Sequence, residues 1–178
     1  GVLYLIFGAT YMVYGTFIVT TMVVEFGFAE ATAGMFWSWV GFFSLFSGVS
    51  FGMLSDRIGR KGGLMTVFAM QTVAYLLAGS GLGTTALMVS VVLYGLAAWA
   101  IPAIMAAAVA DYMGLNKAAA AFSIVTFFFA VGQTVGPGTA GIIAEASGSF
   151  TTSYLCAAGL TLSAILFAIF LPKPEAKI

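Results

Sequence analysis

Residues 52–64 read GMLSDRIGRKGGL, a short stretch that sets Asp56, Arg57, Arg60 and Lys61 between two long runs without a charge. Gly59 and the pair Gly62 and Gly63 permit the positive-φ backbone needed to reverse direction within a few residues, because glycine has no Cβ to clash there. Gly48 and Gly52, four apart, give the preceding run a small-residue strip for close helix packing. A charged reversal between two apolar runs is the pattern of a chain that leaves a bilayer, turns in water and re-enters.

The same alternation extends outward in both directions. Residues 2–24, 33–54, 63–81, 85–110, 118–144 and 153–171 contain no Asp, Glu, Lys, Arg or His. Crossing roughly 30 Å of hydrocarbon at about 1.5 Å per residue takes about 20 residues, so each run has the length of a spanning helix. Glu25, Asp56, Asp111, Glu145 and Pro172 each begin a polar or helix-stopping segment where the backbone reaches water. A chain of 178 residues that is 62% hydrophobic and 7% charged cannot cover a globular surface with water-compatible groups. The sequence predicts an all-α membrane protein, a single six-helix transmembrane domain over residues 1–178 with no soluble domain.

Charge sets the expected orientation. The cations are Arg57, Arg60 and Lys61 in the second loop, Lys117 in the fourth, and Lys173 and Lys177 after the last run; the odd-numbered loops hold only Glu25, Glu30 and Glu145. Random placement would be this one-sided only about once in thirty trials, whereas cytoplasmic loops retain Lys and Arg as a rule. Even loops and both termini are therefore expected in the cytoplasm. Net charge is zero, which gives no case for nucleic acid, and the bases form no long cluster for lipid headgroups. Without His, a metal-ligand cluster or a buried acid beside a nucleophile, neither metal, cofactor nor enzymatic chemistry is expected. Cys156 stands alone, so no intrachain disulfide forms.

The first run lacks a basic leader and exceeds a signal peptide's apolar part, so it reads as a mature helix. The chain begins at Gly1 rather than Met, and further chain is expected before it.

The stretch 52–64 resembles the signature loop of the major facilitator superfamily of secondary transporters: Gly, any residue, Leu, a small residue, Asp, a basic residue, any residue, Gly, Arg, a basic residue. The resemblance assigns Gly52, Leu54, Asp56, Arg57, Gly59, Arg60 and Lys61 to a cytoplasmic gating loop, where Asp56 holds a helix of the opposite half while that side is closed. Asp111, ending the fourth run, offers Arg57 or Arg60 a second carboxylate. The family also implies a six-helix half built as an inverted 3+3 repeat. The trace of such a repeat is faint: Tyr14 and Gly15 recur as Tyr94 and Gly95.

Residues 132–141, GQTVGPGTAG, resemble the Gly and Gly-Pro element in the fifth helix of many facilitators, with Ala140 in place of one Gly. Gly132, Gly136, Pro137 and Gly141 are thus expected to form a kinked, closely packed segment. Tyr11, Tyr14 and Tyr94 lie too centrally for an interfacial belt and are cavity candidates, together with Gln133; the resemblance supplies a cavity lined by the first and fourth helices. Gln133 and Gln71 each need a hydrogen-bond partner, whether a neighbouring helix or a wet cavity.

The resulting expectation is secondary active transport of a small organic solute by alternating access, in a multi-pass protein of a bacterial inner membrane. Its partners would be the solute, the bilayer and the other six-helix half. The tail and the absent Met favour a carboxyl-terminal half. The alternatives are a self-sufficient homodimeric carrier or channel and a non-transporting scaffold.

Overall fold

The computed structural model describes residues 1–172; Lys173, Lys177 and the rest of the tail after Pro172 lie outside the described residues. Its helices are α1 (Val2–Val24), α2 (Glu30–Ala78), α3 (Thr84–Ala97), α4 (Ala100–Met113), α5 (Leu115–Ser147) and α6 (Thr151–Ile169). Taking α3 and α4 as one segment, Thr84–Met113, five helices are long and apolar enough to cross a membrane.

The 49-residue α2 is not straight. Gly59 takes φ 85° and ψ 156°, outside the helical region. A Cβ placed on Gly63 would lie 2.5 Å from the Cβ of Ser55, although eight residues of continuous helix would separate those positions by about 12 Å. The chain therefore folds back at Gly59 into a first arm, residues 30–58, and a second arm, residues 60–78. The apolar run was expected to end at Leu54, but helix continues through Ser55, Asp56 and Arg57 because nothing before Gly59 stops it.

The fourth apolar run, expected to be unbroken over 85–110, is divided between α3 and α4. Pro102 has no N–H to offer the Ala98 carbonyl. Ala98 N–H turns to Gly95 O at 3.3 Å, and Trp99 N–H leaves the helix to bond Ser47 Oγ of the first arm at 3.1 Å. By contrast, α5 runs uninterrupted through Pro137.

The core divides into two layers along the helix axes. One packs Phe7, Leu64, Phe68 and Ile101, with Ala164 from α6; the other packs Tyr14, Ile18, Tyr75, Leu87 and Tyr94, with Tyr154 from α6. α1 and the second arm are the central elements of both layers. The first arm and α5 keep long rows of large apolar side chains on the outside, among them Phe42, Leu45, Val49, Ile124, Phe127 and Ile142. Such a surface suits lipid or another membrane-embedded partner, not water.

The two ends of the bundle carry opposite charge. Arg57, Arg60 and Lys61 gather at the Gly59 turn, with Asp111 beside Arg60 and Lys117 just past Gly114 in the first turn of α5. At the other end, Glu25 and Glu145 line one recess with Phe150. Lys117 and Glu145 sit on the same helix 28 residues apart (145 − 117), or about 42 Å of helix, more than the hydrocarbon thickness.

Candidate functional site

The most ordered polar constellation surrounds the Gly59 turn. Arg60 donates from Nη1 to Asp56 Oδ1 at 2.5 Å and to Ser55 Oγ at 2.8 Å, and from Nε to Asp111 Oδ2 at 2.6 Å. One guanidinium thereby joins the end of the first arm, the start of the second and the end of α4. Its planar array of donors suits this role, and a lysine could not make the same divergent set. The Arg60 side chain is only 17% exposed, whereas Asp56 keeps 61% and Asp111 41%.

The remaining loop residues have separate surroundings. Lys61 Nζ bonds the Ile169 carbonyl at the end of α6, and Tyr112 OH bonds Pro172 O at 2.5 Å. Arg57 is exposed, Leu54 half-buried, and Gly52 has open space where a Cβ would stand. Of the two cations considered for Asp111, Arg60 takes it. Ser55, unremarkable in the sequence beyond its small size, both accepts from Arg60 and packs against Gly63.

The tyrosines divide by exposure. Tyr14 and Tyr94 stack at 4.0 Å within the packed core. Tyr14 OH pairs with Ser90 Oγ at 2.8 Å, Ser90 donates to Ala74 O at 2.6 Å, and Tyr94 OH donates to Tyr11 O at 2.9 Å. Tyr11 is half-exposed and stacks on Tyr94 at 5.7 Å. Its ring also lies 6.4 Å from that of Trp99, which is 54% exposed at the α3/α4 break. Tyr11 and Trp99 thus present an aromatic surface outside the core beside an interrupted helix. Gln133 is half-buried on α5, whereas Gln71 is wholly buried on the second arm.

The α5 glycines meet α1. A methyl on Gly132 would overlap the Leu5 carbonyl, and one on Gly136 the Ala9 carbonyl; a methyl on Gly8 of α1 would likewise overlap Phe129 O. The aromatic stripes of α1 and α5 interlock alongside, with Tyr4 4.7 Å and Phe7 5.5 Å from Phe129. Gly141 only approaches Phe17, at 3.7 Å.

The family model described as Major Facilitator Superfamily matches residues 1–178, the whole chain. The chain belongs to the major facilitator superfamily. Comparison with curated proteins finds no match. Membership makes this an integral membrane protein of a family that moves solutes across membranes. The turn, the aromatic surface and the broken fourth run are therefore features of a facilitator.

Proposed function

We propose that this chain forms one half of a secondary transporter, crossing the membrane six times and rocking against an opposite half around a midplane solute site. The observation that carries this reading is Asp56. It gives one oxygen to Arg60 yet stays 61% exposed at the end of the first arm, so it retains acceptor capacity for a helix end of the opposite half. In this reading Arg60 and Asp111 hold the Gly59 turn in shape while the contact of Asp56 forms and breaks. The folding back at Gly59 makes α2 two crossings, and the cationic end faces the cytoplasm of a bacterial inner membrane by the positive-inside tendency.

Support for an opposite half comes from the first arm, where Gly34, Gly41 and Gly52 have open space around their Cβ positions, allowing close approach by another helix. The stacking of Tyr14 on Tyr94, each followed by glycine, agrees with an inverted repeat whose related helices meet near its axis. Tyr11 and Trp99 are then the cavity-facing candidates of this half, which suits a small organic solute with an apolar or aromatic surface. Tyr14 and Tyr94 set the position of Tyr11 from behind, and Gln133, half-buried on α5, is the remaining cavity candidate.

Reconstituting the full-length protein in proteoliposomes tests the reading, with solute flux and cysteine accessibility measured on both faces. Asp56→Asn is expected to shift the balance between inward- and outward-open states. Equal accessibility in wild type and variant would remove the gating role, and Arg60 and Lys117 labelled from opposite sides would remove the topology.

A further inference from the structure

We infer that Gln71 and Tyr75 bind water inside the bundle, at the junction of its two core layers. Gln71 and Tyr75 are both 0% exposed and lie four residues apart on the second arm, so they project from one side of the helix. Neither Gln71 Oε1, Gln71 Nε2 nor Tyr75 OH has a hydrogen-bond partner among the described residues. Gln71 falls between Phe68 of one core layer and Ala74 of the other, and Tyr75 belongs to the second layer.

Neighbouring hydroxyls cannot fill the role. Thr72 donates to Phe68 O and pairs with Thr161, both at 2.8 Å. Thr10 donates within its own helix, to Ile6 O at 2.9 Å and Phe7 O at 3.3 Å, and no hydrogen bond joins it to Tyr75 OH. A buried amide without partners in hydrocarbon costs more than immobilising a water that satisfies it. The amide of Gln71 and the phenol of Tyr75 together offer three unpartnered polar atoms, within the two to four polar contacts a buried water requires.

The ligand's charge follows from the surroundings. The apolar runs contain no ionisable Asp, Glu, Lys, Arg or His, so a cation here would have no counter-charge at membrane depth. Neutral water fits donors and acceptors alike. The inference does not rest on the transport reading and stands whether or not that reading does.

Radiolytic hydroxyl labelling of the full-length protein in lipid nanodiscs, in oxygen-18 water, tests it, because buried tyrosines react only beside bound water. Tyr14, Tyr94 and Tyr154 are internal controls: each is at most 1% exposed, and each hydroxyl is bonded to protein. Tyr75 should be labelled on the order of ten-fold faster than these three, and Gln71→Leu should bring it down to their level. Tyr75 labelled as slowly as the controls in wild type would overturn the inference, as would unchanged Tyr75 labelling in a folded Gln71→Leu protein. If that variant fails to fold, Gln71→Glu replaces it as the test variant, with Tyr75 labelling retained as expected and lost as the contrary result. The wild-type contrast between Tyr75 and its controls decides the matter in either case.

Discussion

Glycines recur at helical spacing on α5 and on the first arm of α2, yet the two rows meet opposite surroundings. On α5, Gly132 and Gly136 press against the backbone of α1 so closely that any side chain would strike a carbonyl. On the first arm, Gly34, Gly41 and Gly52 face open space. The same pattern is thus a closed seam within the bundle in one place and an uncovered strip in the other. Small residues report that something approaches closely; only the packing tells whether it belongs to the same bundle.

The largest effect should come from Gly136→Val, whose side chain enters the Ala9 carbonyl. A loss of about 3 kcal/mol or more is expected, read as reduced folded yield and a lowered midpoint in thermal denaturation in detergent. A midpoint equal to wild type would erase the contrast between the rows. Gly41→Leu should leave that midpoint unchanged while sharply reducing solute flux in proteoliposomes; normal flux would assign the strip to lipid.

Asp111→Asn weakens one arm of the Arg60 cluster. Because the pair is partly exposed, the expected loss of stability is only up to about 1 kcal/mol, and cysteine accessibility at the cationic end should rise. Smallest of all, Tyr14→Phe removes the bond to Ser90 but keeps the stacked ring. A loss of about 0.6 kcal/mol with solute affinity unchanged is expected, and a changed dissociation constant in binding assays would return Tyr14 to the solute surface.

The Gly59 reversal was readable because composition and chemistry agree there: three cations, an acid and the glycines lie between uncharged runs. The distribution of charge likewise anticipated the opposite ends of the bundle, for the cations the structure describes. The broken fourth run was less legible. Pro102 marks a kink point, but the position of the break depends on Ser47, fifty-two residues from Trp99 in sequence. Side-chain direction was least legible. Helical periodicity places Tyr11 and Tyr14 on one broad face, yet rotation of α1 against α3 and the second arm buries Tyr14 and leaves Tyr11 half-exposed. Tyr75 carries no distinguishing signal in the sequence, since it differs from Tyr14 in having no hydrogen-bond partner among the described residues.

The amide of Trp99 has a mechanical consequence. It depends on a serine of the first arm, so sliding that arm past the α3/α4 junction would leave the donor unpaired among apolar side chains, costing several kcal/mol. The two segments are pinned against relative translation. Any large displacement of the first arm must carry the junction, Trp99 and the neighbouring ring of Tyr11 as one piece.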